Sequence, residues 1–91
     1  MSESVPDPMV RQLRHELSDV DRTIVAAVNK RLELVSRLKR YKDSQGIEFV
    51  DPQQEEAVLR DLGRANRGPI SQDGLRDLYA RILELTKSEV K

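Results

Sequence analysis

Two cations share one face of a predicted helix in the stretch AAVNKRLELVSRLKRYK, residues 26–42. Arg31 and Lys42 are eleven positions apart, and eleven steps of about 100° return to within about 20° of the starting direction. Arg31 occupies an apolar seam, where a charge without an anion is costly. Arginine can hold a carboxylate through two parallel hydrogen bonds. With Arg14 at the border of the same seam, these residues predict a site for a small dicarboxylate.

Each of the three cations also has an explanation that needs no ligand. Arg14 can be a solvated flank of the helix, and Lys42 suits a helix C-terminus, where positive charge is favourable. Arg31 can lay its aliphatic stem on the seam and keep its guanidinium in water. Glu55 is a single candidate counter-ion for more than one cation, so the surplus of positive charge favours an anionic ligand.

The seam that carries these cations predicts one long helix, residues 9–44. Its positions are separated by alternating steps of three and four residues. No Pro or Gly interrupts it, and Gly46 suits the left-handed conformation that ends many helices. The seam consists of Val10, Leu13, Leu17, Val20, Ile24, Ala27, Arg31, Leu34, Leu38 and Tyr41.

Two shorter helices are predicted after a short connector, IEFV. The second helix has Asp51 as its N-cap, Pro52 at its first position, and Gln54 to complete a capping box. Ser71 caps the third helix, which runs close to the last residue. The predicted fold class is therefore all-α, with one long and two shorter helices.

The length of the first helix predicts a dimer. About 34 residues in a helix extend roughly 50 Å, whereas a compact monomer of this size is only about 32 Å across. The shorter helices cannot cover the whole apolar seam, so we expect an intertwined homodimer. Periodicity alone favours a helical dimerisation module without chemistry.

Composition excludes several classes of function. The chain of 91 residues is long enough for one domain at most. It has no cysteine and a single histidine, His15, so we expect no metal site and treat His15 as a surface residue. Sixteen basic residues balance sixteen acidic ones, and only 3% are aromatic. Nucleic acid is therefore not an expected partner.

The N-terminal residues 1–8, MSESVPDP, are predicted to be a disordered tail. They contain neither a basic start nor an apolar run, and the chain nowhere reaches the roughly 18 consecutive apolar residues of a membrane span. We therefore expect no membrane association and a cytoplasmic location.

Three segments together resemble the all-helical family of chorismate mutases: LRHELSDVDRTIVAAVNKRLELVSRLKRYK, GIEFVDPQQEEAVL and GPISQDGLRDLYARILELT. The most specific pieces are the paired LR and VD, the KRLEL that follows, Lys42 eleven positions after Arg31, and DPxxE at the start of the second helix. The resemblance implies a helical domain over residues 9–91, an intertwined dimer and the isomerisation of chorismate to prephenate, on the route to phenylalanine and tyrosine.

The resemblance also implies roles for individual residues. Arg31, together with Arg14 of the other subunit, would hold the two carboxylates of chorismate. Lys42 would donate to the ether oxygen whose bond breaks. Asp51 and Glu55 match the acidic positions at the start of the second helix, and Glu55 would accept a hydrogen bond from the ring hydroxyl. The reaction needs no cofactor or metal, because positioning and charge stabilisation suffice.

Three substrate-binding positions depart from the family pattern. Gln54 stands where the family usually has an arginine, and Thr86 stands where it often has serine. Val90, which we expect at a frayed end, stands where a glutamine usually gives the ether oxygen a second donor. A missing donor of this kind is worth roughly 2 to 4 kcal/mol of barrier. The expected enzyme therefore has modest intrinsic activity.

Other functions remain open at the level of sequence. Isochorismate pyruvate lyase shares the fold, the dicarboxylate grip and the lysine. A non-catalytic helical dimer that binds a pathway intermediate or a partner enzyme is the alternative from another class, motivated by Gln54 and Val90. Some members of the mutase family are fused to, or associate with, the first synthase of the shikimate pathway, which makes such a synthase a candidate partner.

Overall fold

Three α-helices make up most of the chain in the computed structural model, which describes residues 7–91. They are α1 (Pro8–Gln45), α2 (Pro52–Ala65) and α3 (Gln72–Glu89). The described residues contain no strand. The predicted all-α class, with one long and two shorter helices, is confirmed. The ends of the first helix differ from the prediction by one residue each, and the intertwined homodimer stays a prediction.

The start of α1 lies inside the predicted tail. Residues 1–6 of that tail are outside the described residues, but Asp7 and Pro8 are not. One carboxylate oxygen of Asp7 accepts the backbone N–H groups of Met9, at 2.8 Å, and Val10, at 3.1 Å. Proline at the first helical position costs no hydrogen bond, because its missing N–H would have no partner there. Asp7 is therefore a side-chain N-cap rather than part of an unstructured segment.

The chain divides into two compact units, residues 1–31 and residues 32–91. In the described part of the first unit, the apolar seam is exposed, with exposed fractions of 51% for Leu13, 61% for Leu17 and 54% for Ile24. Only Ser18, Val28 and Arg31 are half-buried there. The described part of the first unit therefore has no apolar core of its own.

The second unit contains α2 packed against α3. Its half-buried apolar residues on these two helices include Val58, Leu59, Leu62, Leu75, Tyr79, Ile82 and Leu83. Two ion pairs also join these helices, Arg76 with Glu56 and Lys87 with Glu55. Apolar contact and paired charge thus both hold α2 against α3.

The turn between α2 and α3 is closed by side-chain amides. Asn66 donates to the carbonyl of Ile70 at 3.0 Å and to the side-chain oxygen of Gln72 at 3.1 Å. Gln72 in turn donates to the carbonyl of Gly63 at 2.8 Å. Ser71 caps α3 as predicted, since its hydroxyl accepts the N–H of Gly74 at 2.9 Å.

Within residues 7–91, no helix is both long and apolar enough to cross a bilayer.

Candidate functional site

The backbone around Lys42 is held by the termination of α1. Gly46 adopts φ 68°, the left-handed conformation that the sequence predicts for it. The N–H of Ile47 donates to the carbonyl of Lys42 at 2.8 Å, and the N–H of Gly46 donates to the carbonyl of Asp43 at 3.3 Å. This pair of hydrogen bonds is a Schellman motif. It fixes Lys42 in the last turn of the helix.

The side chain of Lys42 is half-buried and reaches the connector that follows α1. Its Nζ donates to the carbonyl oxygen of Phe49 at 3.4 Å. An ammonium has three donors, so this single long hydrogen bond leaves capacity for a ligand oxygen. The geometry is compatible with the predicted role of Lys42, which remains a prediction.

A second cation at the same connector was not singled out in the sequence. Lys39 Nζ lies 5.6 Å from the centroid of the Phe49 ring, within the range of a cation–π contact. It also pairs with the carboxylate of Asp43 at 3.1 Å. Both partners of Lys39 belong to the protein, which makes it a structural cation and a natural control for Lys42.

The acidic start of α2 is organised by Asp51. The side chain of Asp51 accepts the N–H of Gln54 at 3.2 Å, and its carbonyl accepts the N–H of Glu55 at 3.1 Å. Pro52 occupies the first turn, as predicted. Gln54 is exposed, and its backbone supplies one half of the predicted capping box. Asp51 thus has a clear structural task in addition to its predicted place at the site.

Glu55 is paired with a cation that sequence reasoning missed. Lys87 Nζ lies 3.2 Å from one carboxylate oxygen of Glu55 and 3.1 Å from the other. Glu55 is in the first turn of α2, and Lys87 is in the last turn of α3. The pair lines an open groove between these two helices. The 32 positions that separate the two residues carry no local pattern from which the contact could be inferred.

The end of α3 buries both substrate-binding positions predicted there. Thr86 and Val90 are the only buried residues in the described part of the chain, with exposed fractions of 7% and 6%. The hydroxyl of Thr86 donates to the carbonyl of Ile82 at 2.8 Å, and the N–H of Val90 donates to the carbonyl of Thr86 at 3.0 Å. Val90 is therefore a buried C-cap, and the expectation of a frayed end is wrong at this residue.

Arg14 and Arg31 belong to the first unit. Arg14 is exposed, and Arg31 is half-buried, unlike the other residues of the seam, which are exposed. Both residues make polar, ring or electrostatic interactions in the structure. The argument that an unpaired charge requires a ligand therefore applies to neither residue. Their predicted role as carboxylate clamps rests on the resemblance.

The described residues offer no cluster suited to a metal ion. Within residues 7–91, no three His, Asp or Glu side chains are grouped so that they could hold one. His15 is exposed and lines a shallow depression near the start of α1 with Pro8, Arg11 and Gln12.

The family and the solved structures that this chain resembles in sequence and in fold have the same activity in their descriptions. The family model described as chorismate mutase type II matches residues 13–91. The T-protein of Haemophilus influenzae (strain ATCC 51907 / DSM 11121 / KW20 / Rd) is 32% identical over 75 residues, which cover 81% of this chain and 20% of that protein. The chain thus spans about a fifth of the length of this curated relative.

Two solved structures share the fold at 29% sequence identity, forms I and II of the chorismate mutase from Thermus thermophilus. Form I has a TM-score of 0.84, and the match covers 86% of this chain and 98% of that one. Form II has a TM-score of 0.85, with coverage of 88% and 91%. The similarity therefore extends over nearly the whole length of both chains.

Proposed function

Because the chain belongs to the chorismate mutase type II family, we propose that it is an isomerase that converts chorismate to prephenate in the biosynthesis of phenylalanine and tyrosine. The observation that carries this proposal is the family match over residues 13–91, which includes Arg14, Arg31, Lys42 and Glu55. The proposed location is cytoplasmic.

The chemistry of the proposed reaction suits the residues present. A pericyclic rearrangement of one substrate needs no nucleophile, so the enzyme acts by holding the compact conformer and stabilising developing charge. Arg31 and Arg14 are proposed to bind the two carboxylates, and Lys42 to donate to the ether oxygen as its bond breaks. Glu55 is proposed to accept a hydrogen bond from the ring hydroxyl.

A homodimer with shared active sites is part of the proposal, with Arg14 acting in the site of the other subunit. The exposed seam of the first unit supports it, because a run of large apolar residues along one helix needs a cover. A second copy supplies the same apolar surface and can cover the seam by two-fold symmetry.

The proposed intrinsic activity is modest. Gln54 brings no charge to the start of α2, and Val90 offers an apolar side chain where the family usually has a donor. The burial of Val90 supports a fixed position for this side chain. Association with the first synthase of the shikimate pathway is proposed as a means of raising activity.

The test of the reaction uses two substrates. Purified protein is incubated separately with chorismate and with isochorismate, and prephenate, salicylate and pyruvate are measured. We expect prephenate from chorismate, its loss in Arg31→Ala, and its retention in the matched control Lys30→Ala, which removes the neighbouring exposed cation. Salicylate and pyruvate from isochorismate, with chorismate untouched, would assign the lyase instead. No turnover of either substrate, with binding of a bicyclic diacid transition-state analogue, would assign a binding protein.

The shared site is tested by complementation. Arg14→Ala and Arg31→Ala are each expected to be inactive alone. After unfolding and refolding as an equal mixture, half of the dimers are mixed, and each mixed dimer has one intact site, so about a quarter of wild-type activity returns. No recovery, with mixed dimers demonstrated by differential tagging, would place both arginines in one subunit's site.

A further inference from the structure

The ion pair between Lys87 and Glu55 involves the carboxylate that is proposed to accept a hydrogen bond from the ring hydroxyl of the substrate. The ammonium lies 3.2 Å and 3.1 Å from the two oxygens of Glu55. A carboxylate accepts about four hydrogen bonds, so an ammonium that contacts both oxygens still leaves lone pairs for a hydroxyl. The side chain of Glu55 is 31% exposed and that of Lys87 is 43% exposed, so the pair remains accessible to a ligand.

The start of α2 lacks a cation of its own. Its first turn carries the acidic Glu55 and follows the acidic N-cap Asp51, whereas Gln54 is neutral. Negative charge at this point opposes the approach of a dicarboxylate. Lys87 reaches the same turn from α3, where a cation in the last turn is also favoured by the helix dipole.

We propose that Lys87 is a positioning residue, which orients the Glu55 carboxylate for the substrate's hydroxyl and supplies from α3 the positive charge that Gln54 does not supply from α2. This inference rests on the proposed function. It gives Lys87 a part in substrate binding, through Glu55, and none in the bond rearrangement itself.

The chain offers a matched control for a purely structural role. Arg76 and Glu56 form the other ion pair between α2 and α3, at 3.1 Å, with side chains 56% and 54% exposed. Neither residue has a proposed role at the site. If the pairs only hold the two helices together, Lys87→Met and Arg76→Met should change stability alike and leave substrate binding unchanged.

The experiment compares wild type, Lys87→Met, Lys87→Arg and Arg76→Met in chorismate turnover and in calorimetric binding of a bicyclic diacid transition-state analogue. We expect Lys87→Met to raise KM about two- to fivefold, as for a partly exposed ion pair, with kcat nearly unchanged. The affinity for the analogue should fall by the same factor. Lys87→Arg should restore both values, and Arg76→Met should leave both at the wild-type level.

A second background tests whether Lys87 acts through Glu55. In Glu55→Gln, which keeps an acceptor but removes the charge, the contribution that Lys87 makes by orienting the carboxylate is lost, so Lys87→Met should have a smaller effect than in the wild type. An undiminished effect there, or equal KM values in Lys87→Met and Arg76→Met, would overturn the inference and leave the proposed function intact. A wild-type protein that neither turns over chorismate nor binds the analogue would overturn the proposed function, and the inference with it.

Discussion

The two units of the chain hold the residues proposed to act at the site in different ways. In residues 32–91, Lys42 lies within a Schellman motif and Glu55 follows the N-cap Asp51 and pairs with Lys87. In the described part of residues 1–31, Arg14 and Arg31 lie on continuous helix whose apolar residues, apart from the half-buried Val28, are exposed. Backbone caps and an ion pair therefore help to position Lys42 and Glu55, whereas Arg14 and Arg31 lie on a helix whose described part before Leu32 has no apolar core of its own.

This difference distinguishes the interactions that form within one chain from the packing that requires a second chain. Caps and short-range ion pairs form within a single chain, because their partners are neighbours in the sequence or lie on packed helices. A helix with an uncovered apolar seam gains its main stabilisation only when another surface packs against it. Substitutions at the site residues and helix ends of the second unit should therefore act on catalysis or on chain stability, and substitutions of the apolar seam residues of the first unit should act on assembly.

The largest effect is expected at Lys42. Replacement by methionine keeps the length of the side chain but removes the proposed donor to the ether oxygen, so kcat should fall about 10²- to 10³-fold. The control is Lys39→Met, which removes the neighbouring cation that contacts Phe49 and Asp43. Lys39→Met should keep kcat within a few-fold of wild type. Equal losses in the two variants would mean that the second unit needs positive charge at the connector rather than a donor at Lys42.

The seam is tested by Leu17→Asp in the first unit. Leu17 is 61% exposed in the single chain, so the substitution should not disturb packing within it. In a dimer each copy would bury a new carboxylate, which should raise the dimer dissociation constant at least about a hundredfold. Analytical ultracentrifugation should show monomers, and activity should return at high protein concentration if the sites are shared.

The control for the seam is Ala26→Asp. Position 26 is nine residues after position 17, which places Ala26 on the opposite side of the helix at about 100° per residue. The same charge there should leave the dimer intact. Dissociation in both variants would show that added negative charge, rather than the seam, controls assembly, and the contrast between the two units would lose its basis.

The features that were predictable from the sequence are those with short-range causes. Gly46, Asp51 and Ser71 are helix-terminating or helix-capping residues whose partners lie within a few positions, and the structure has them in those roles. The pairing of Lys87 with Glu55 depends on how α2 and α3 pack, so no sequence pattern reveals it. The burial of Val90 also depends on how the helices pack. The expectation of a frayed end considered only that Val90 is close to the end of the chain, and it was therefore wrong.

A gain of function is expected at Val90. Val90→Gln introduces the amide donor that the family usually has at this position, and kcat should rise about tenfold or more. The side chain is buried, so an amide without partners in the free protein should lower stability by about 1 to 3 kcal/mol. Val90→Leu, which adds volume without a donor, is the control. An increase in both variants would attribute the gain to packing at the end of α3.

The smallest effect concerns the glycine that ends α1. Gly46 has φ 68° and open space where the Cβ of a larger residue would lie, so Gly46→Ala adds only backbone strain, about 1 kcal/mol. Melting temperature should fall about 4–8 °C at equal protein concentration. Gly63→Ala, within α2, should have the opposite sign, because its nearest contact would be the Gln72 side-chain oxygen at 3.9 Å and alanine favours helix. If Gly46→Ala instead left stability unchanged but lowered kcat, the end of α1 would serve to aim Lys42 rather than to stabilise the second unit.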